Sequence, residues 1–557
     1  MTRLAILLLN LLIFFVLIGY VLNPLLQTLN SGFYDAQGQY TFQNYVSLVE
    51  RPERLRAFAN TILLSLLTVL GAGLFGTTLA YTFWRFDVPL RGLLSRLVLL
   101  PLGLPPLVGV FSFQFLYGES GVLSRLLQGL FKLPAPPFSF EGLWAVWLVH
   151  LYSFYVQFYL FVSAALARID TAVLEAAENL GASAWSRVWK ILLPLLRPSL
   201  LSAALIVFVL SMTSFTAPLL FGGKTAFLTV EIFNQKISGE FGVASAMTVE
   251  LVALSVTAVF LFEVCNAQMR LTVRSRGAPR ELPLERLPLP LFLLFMLQVL
   301  FIALPIFALV LMSFAKDPLA STSILPTQYS LEHYYRLLSD AAVYRPFLNS
   351  LSMAVLASVP NLVFGLVAGL LIAQRRIFLR EVMLALLLLP LAIPGTALAI
   401  NLIAAFAKPS IFAFGTVLVG SSMLLPLAYF IRHLPYITRS VAATLETFDY
   451  QLVEAAATLG SPYLRIIGRV IAPLILSSLA SGFLFTFIGA ISEFPCSILL
   501  YTPDNLPIAV DIFSQLRIGS FGLAAAEGVL LITLIFALTW AFNRLFQTRA
   551  AETPLQL

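Results

Sequence analysis

Charge is scarce in this sequence. Asp, Glu, Lys and Arg make up 11% of 557 residues, against about 25% in an average soluble chain. With 59% hydrophobic residues and a mean hydropathy of +0.93, that scarcity excludes an ordinary soluble domain and places the chain in a bilayer. Cysteine is almost absent. Cys265 and Cys496 both fall in apolar stretches, which excludes a disulfide framework and any CxxC metal knuckle and leaves two small buried side chains. Only His150, His333 and His433 occur, far apart and without metal-ligand spacing, so no resident metal is expected. The sequence also lacks a nucleophile elbow, an HExxH and a carboxylate pair at a useful spacing. We therefore expect a non-catalytic chain. The formal charge is +7, but the basic residues sit in small groups between apolar runs, a pattern that argues for membrane topology and against nucleic acid as a partner.

What is present is length in apolar runs. Segments able to cross about 30 Å of hydrocarbon as helices recur at 4–26, 57–83, 94–116, 141–165, 196–221 and 246–269, then at 287–313, 347–374, 382–404, 411–432, 475–500 and 523–545. Strands would leave backbone groups unpaired in lipid, so the fold class expected is all-α integral membrane with about twelve spans. The first segment follows a single Arg3, exceeds a usual signal-peptide core and has no A-x-A site close behind it, so it reads as a true first helix. Placing the N-terminus inside puts 22 basic residues in the cytoplasm, among them Arg85, Arg91, Arg96, Arg270, Arg376 and Arg380, and 12 outside. Lys and Arg resist translocation, which favours cytoplasmic N and C termini.

The chain repeats itself. Phe58-Ala-Asn-Thr61 matches Phe347-Leu-Asn-Ser350, and Leu100-Pro101 with Pro105 matches Leu389-Pro390 with Pro394, both at an offset of 289. Later the offset is 279, with Asp170 matching Asp449, Gly181 matching Gly460 and Pro194 matching Pro473. The change places an outside loop ten residues longer within Gly118–Glu141 of the first repeat. Two homologous six-helix repeats follow, residues 1–270 and 287–557, joined by a basic, proline-bearing cytoplasmic linker over 271–286.

Between the fourth and fifth spans of each repeat lies a segment too polar to cross a membrane. The first runs Asp170-Thr-Ala-Val-Leu-Glu175-Ala176-Ala177-Glu-Asn-Leu-Gly181, then Ile191-Leu-Leu-Pro194; the second runs Asp449-Tyr-Gln-Leu-Val-Glu454-Ala455-Ala456-Ala-Thr-Leu-Gly460, then Val470-Ile-Ala-Pro473. Asp170 and Asp449 suit the start of a helix, where a carboxylate accepts the first unpaired N–H groups. Gly181 and Gly460 suit its left-handed end, and Ser183 or Ser461-Pro462 can open a second helix. The expected product is a short helix near 171–181 and 450–460, a sharp turn, and a helix entering the membrane. The alanines keep one side slim enough to dock in a groove, with Glu175 and Glu454 beside the contact.

The pattern E-A-A-x3-G-x9-I-x-L-P resembles the signature of permease subunits of bacterial ABC importers. The first repeat matches every fixed position, and the second departs only at Val470 and Ala472. The resemblance spans nearly the whole chain and implies the type I importer fold in a bacterial inner membrane. It implies that Asp170–Pro194 and Asp449–Pro473 are the coupling segments seated on two copies of an ABC ATPase, which bind the ATP and Mg, this chain holding no cofactor. It also implies a periplasmic or lipid-anchored solute-binding protein on the outer side. The fusion of two repeats looks most like the ferric-iron and thiamine permeases, whose relatives also carry aminophosphonates. Ferric iron is therefore the first cargo expected, then thiamine or aminophosphonate.

Other signals are weaker. Gly222-Gly-Lys-Thr225 ends like a phosphate-binding loop, but Pro218 stands where the first glycine belongs and no strand precedes it, so nucleotide binding is not expected. Four acids fall within predicted spans. Glu263 reads as a solvated terminus, and Glu250 and Glu527 as first-turn residues favoured by the helix dipole. Glu493, before Phe494-Pro495 and opposite the neutral Ser214 of the first repeat, is a candidate for the substrate pathway, together with Ser214, as an acid that touches a cationic substrate in passing. Hydrogen bonding of Glu493 to a neighbouring helix is the equal alternative, and Glu493→Gln is expected to lower transport without lowering assembly. A secondary transporter with two parallel repeats is the alternative function. It predicts charges near the bilayer midplane and no docking hairpins.

Overall fold

The computed structural model describes residues 3–270, 284–316, 324–374, 376–446 and 451–546. Asp449, most of the linker and the side chains of Glu263 and Pro473 lie outside the described part of the structure. Among the described residues, eight helices are long and apolar enough to cross a membrane: Leu4–Ser31, Pro52–Arg85, Leu143–Leu166, Ala184–Met212, Phe241–Leu261, Leu289–Ser313, Ala341–Ala373 and Phe521–Arg544. Two bent pairs raise the count to ten. Arg91–Gly103 with Pro106–Phe131 bends by 110°, and Arg380–Ala392 with Gly395–Phe406 by 115°. Pro105 and Pro394 stand at the two elbows, where a proline disfavours helical geometry in the residue before it and removes a backbone donor.

The two remaining expected spans exist as helices with other boundaries. The segment expected at 411–432 is the helix Leu424–Glu446. Residues 407–423 form turns instead, with Phe414, Gly415 and Gly420 all at positive φ, a conformation that ends helices. The segment expected at 475–500 stops at Ile491 and resumes as the short helix Ser497–Leu500.

The chain forms two compact units that cross the repeat boundary. One comprises Met1–Val46, Ile232–Val252 and Leu331–Leu557; the other comprises Ser47–Glu231 and Ala253–Ser330. In the first unit the N-terminal helix packs on second-repeat elements: Asn10 donates from Nδ2 to the Arg376 carbonyl at 3.1 Å and accepts from the Phe378 N–H at 2.7 Å, and the Tyr20 hydroxyl donates to the Phe412 carbonyl at 2.7 Å. In the second unit, Leu289–Ser313 packs on first-repeat helices. Gln298 donates to Thr78 Oγ1 at 2.8 Å and to the Phe75 carbonyl at 3.2 Å, while the Phe295 and Phe83 rings lie 5.5 Å apart. Each unit thus holds the first helix of the other repeat.

Close helix approach within each unit depends on small residues, because lipid removes the hydrophobic drive for helix association and leaves van der Waals packing in its place. In Pro52–Arg85, a Cβ on Gly76 would lie 2.3 Å from the Tyr155 carbonyl oxygen of Leu143–Leu166; in Ala341–Ala373, Gly365 and Gly369 would clash at 2.5 and 2.6 Å with Ile437 and Val441 of Leu424–Glu446. In the second unit a short parallel pairing joins Phe86-Asp87 to Glu285-Arg286, beside an Arg85–Glu285 ion pair, which ties the end of the linker down. The longer outside loop of the first repeat carries the helix Val122–Phe131.

Candidate coupling hairpins and intramembrane polar clusters

The two polar segments fold alike. In the first repeat the short helix is Ala172–Asn179, and Asp170 Oδ1 accepts the Ala172 N–H at 3.0 Å. It ends at Gly181, φ +82°, with the Gly181 N–H on the Glu178 carbonyl at 2.8 Å and the Ala182 N–H on the Ala177 carbonyl at 2.9 Å. This is the paired-bond C-terminus that a left-handed glycine permits. The second repeat repeats it. Helix Gln451–Thr458 ends at Gly460, φ +77°, with the Gly460 N–H on Ala457 at 2.9 Å and the Ser461 N–H on Ala456 at 3.1 Å. Ala177 and Ala456 thus contribute carbonyls as well as slimness. Ser183 Oγ caps the next helix by accepting the Ser186 N–H at 3.3 Å, and the second repeat's counterpart is Tyr463–Ile466.

Both hairpins then widen into one π turn, Val188–Leu192 and Ile467–Ile471, directly before Leu193-Pro194 and Ala472-Pro473. A proline there removes one N–H and presses its ring against the preceding turn, and a π turn makes the room. Ile18–Leu22 does the same before Asn23-Pro24. On the hairpins Glu454, Ala176, Ala455, Gly181 and Gly460 are exposed, while Glu175, Ala177 and Ala456 are half-buried. Leu180 and Leu459, unremarked in the sequence, each expose 88% of their surface at matching positions.

The pathway candidates fall in different clusters. In the second unit, His150 of Leu143–Leu166 lies 2.9 Å from both Ser211 Oγ and Ser214 Oγ, with Thr68 Oγ1 at 3.5 Å. Ser214 is therefore engaged in a neutral network. In the first unit, Glu493 is 7% exposed and ion-paired to Arg432, Nε to Oε2, at 2.9 Å; its Oε1 accepts the Cys496 N–H at 3.1 Å. Sequence reasoning missed Arg432 by placing it at the inner end of a span, whereas it sits in the third turn of Leu424–Glu446.

The other acids depart from expectation. Glu250 and Glu527 lie in the third and second turns of Phe241–Arg270 and Phe521–Phe546, beyond reach of the dipole's first-turn effect. Glu527 is fully buried, Asp511 of the helix Ile508–Arg517 is buried too, and among the described residues no donor reaches Asp511 Oδ2 or either Glu527 oxygen. Burial pushes the Asp511 carboxyl above its ordinary value, against the pull of the hydrogen bond that Gln515 Nε2 donates to Oδ1. Gly222-Gly-Lys-Thr225 is a turn between Thr216–Phe221 and Leu228–Ile237, with the Thr225 N–H on the Gly222 carbonyl. Among the described residues no three His, Cys, Asp or Glu side chains group as metal ligands.

A family profile described as "Binding-protein-dependent transport system inner membrane component" matches residues 72–271 and again 361–551. The chain belongs to this family. Both matches enclose one hairpin, so this permease carries the family's domain twice, as the internal offsets require. It is 28% identical over 532 residues to "Probable ABC transporter permease protein y4fN" of Sinorhizobium fredii, covering 94% of this chain and 92% of that one. It is 24% identical over 544 residues to the ferric transport system permease protein FbpB of Actinobacillus pleuropneumoniae, covering 97% and 77%. The molybdenum transport system permease protein ModB of Azotobacter vinelandii is 30% identical over 210 residues, 37% of this permease and 91% of its own length, a single-repeat relative. The chain is thus an ABC transporter permease with the type I fold, and it is a membrane protein.

Proposed function

We propose that this permease forms the alternating-access pathway of an ATP-driven importer and that Asp170–Pro194 and Asp449–Pro473 are the levers through which two ATPase subunits drive it. The observation that carries the reading is the duplicated hairpin, with the same glycine-ended helix, the same π turn before proline and the same solvated leucine in both repeats. A partner present in two copies needs two matching docking surfaces. ATP and Mg belong to those partners, and closure of their dimer shifts the permease only by favouring one of its states. The distribution of basic residues supports hairpins and termini on the cytoplasmic side of the inner membrane, with cargo arriving outside on a periplasmic or lipid-anchored binding protein. An ion-coupled carrier would leave both hairpins without a use.

Ferric iron is the first cargo to test, because a fused relative is named for it; thiamine and aminophosphonate follow. The lever reading is tested by recovery of the ATPase with tagged permease carrying Gly181→Asp plus Gly460→Asp. No atom lies within 4 Å of a Cβ at either glycine, so the substitutions strain a left-handed turn by about 1 kcal/mol each and add charge to the docking face without touching the membrane core. We expect ATPase with wild type and a loss of at least tenfold in the variant. No ATPase with folded wild-type protein would sink the reading.

A further inference from the structure

Resting on that reading, we infer that the first unit holds an anion site on the cargo's route, built from Arg432, the N-terminus of helix Gly395–Phe406 and Thr396, and filled in this conformation by the protein's own Glu493 carboxylate. The cargo is then anionic where it meets this unit: an oxyanion, a phosphonate, or iron still held in an anionic chelate.

Two chain breaks and one mid-helix arginine meet at one point. The elbow at Pro394 begins the twelve-residue helix Gly395–Phe406, whose first N–H groups carry the positive end of the dipole. The break after Ile491 brings Glu493 there, since a Cβ on Gly395 would lie 3.0 Å from Glu493 Oε1 and 3.3 Å from Arg432 Nη1. Arg432 itself lies about 12 Å along its helix from Leu424, taking 1.5 Å per residue.

The two partners are not equivalent. Glu493 is 7% exposed and held on both oxygens, whereas the Arg432 side chain is 28% exposed. Its Nε is on Glu493 and its Nη1 reaches the Ile393 carbonyl at 3.4 Å, and its remaining N–H groups find no acceptor among the described residues. An accessible guanidinium at this depth would be prohibitive against lipid, so it faces water. One and two turns on, Tyr436 and Arg439 continue the same exposed face. A second observation points to a missing acceptor: the Thr396 hydroxyl, next to Gly395, is fully buried and has no partner. Dipole, guanidinium and orphan hydroxyl all favour negative charge, and a carboxylate already sits among them.

The first repeat has dismantled the same place. Pro106, without an N–H, stands for Gly395; Ser153 stands for Arg432; and Ser214 stands for Glu493. One anion site per permease follows.

The test uses the complete importer, with its ATPase and binding protein, in cells given labelled sulfate, phosphate or 2-aminoethylphosphonate, against spermidine, thiamine, and radioiron supplied with carbon-labelled citrate. We expect wild type to take up an anion, or iron together with citrate. Arg432→Gln should cut that uptake by about tenfold or more with ATPase recovery unchanged, Arg432→Lys should restore part of it, and Glu493→Gln, which leaves the arginine, should cost about threefold. Wild-type uptake of none of the anions, or of spermidine, thiamine or iron without citrate alone, overturns the inference; so does anion uptake unchanged by Arg432→Gln. If Arg432→Gln fails to assemble, Arg432→Gln plus Glu493→Gln removes both charges together, and normal uptake by that variant is equally fatal. Failure to recover ATPase with wild type would instead count against the importer reading itself.

Discussion

The two repeats agree at the hairpins and disagree inside the membrane. At the hairpins even the solvated leucines, Leu180 and Leu459, match. Within the spans, Leu143–Leu166 contains no charged residue and centres on His150, whereas Leu424–Glu446 carries Arg432 and Arg439. His150 and Tyr429 occupy the same repeat position, yet one binds Ser211 and Ser214 while the other bonds Ser497 at 2.7 Å beside the Arg432–Glu493 pair. On the proposed reading, a duplicated surface is kept because the ATPase docks twice. It is free to diverge where a single cargo passes.

Breaking the sameness of the hairpins should have the largest effect. Gly181→Asp and Gly460→Asp made singly should each lower ATPase recovery by a similar factor, and a loss confined to one would show that the matching backbones are not matching docks. The neutral cluster comes next. His150→Leu strips bonds from Ser211 and Ser214 and should lower stability by about 1–3 kcal/mol, read by thermal unfolding, since buried hydroxyls lose their partners. Tyr429→Phe should cost less, because Ser497 keeps its bond to the Glu493 carbonyl.

A smaller effect concerns Asp511, whose counterpart at the 280 offset is Glu231. Its raised carboxyl binds a proton more tightly in the folded chain, so it favours folding at acid pH and loses that contribution as pH rises past the ordinary aspartate value of 3.8. Asp511→Asn should therefore stabilise the permease at pH 8, and the gain should shrink toward acid in pH-resolved melting. Smallest of all is Glu178→Gln. Its ion pair with Arg187 has no equivalent in the second repeat, where Ala457 and Ile466 stand, and as a surface pair it should contribute under about 1 kcal/mol and leave ATPase recovery unchanged.

What could be read from the sequence was local. A cap, ten residues and a glycine specify the hairpins without help from the rest of the chain, and the structure forms them at the expected places. Arg432 was hidden because hydrophobicity alone runs on through 411–432, and the turns of 407–423 are stabilised by glycine geometry that a hydropathy window does not weigh. A signal was available: at the 279 offset Arg432 falls on Ser153, midway along the fourth span. The swap of first helices left no such trace. Leu4–Ser31 and Leu289–Ser313 are apolar over most of their surface, and side chains suited to lipid are suited to many neighbours.

That exchange has a consequence in time. A ribosome that has just completed the first repeat has inserted a leading helix whose bonding partners, the Arg376 and Phe412 carbonyls, do not yet exist. Synthesis proceeds from the N-terminus at about 5–20 residues per second, so that helix waits in the lipid for many seconds with Asn10 bonded only to the Ile6 carbonyl of its own helix, until the elbow region of the second half arrives. The first helix completes its bonding only once residues 376–412 have been made.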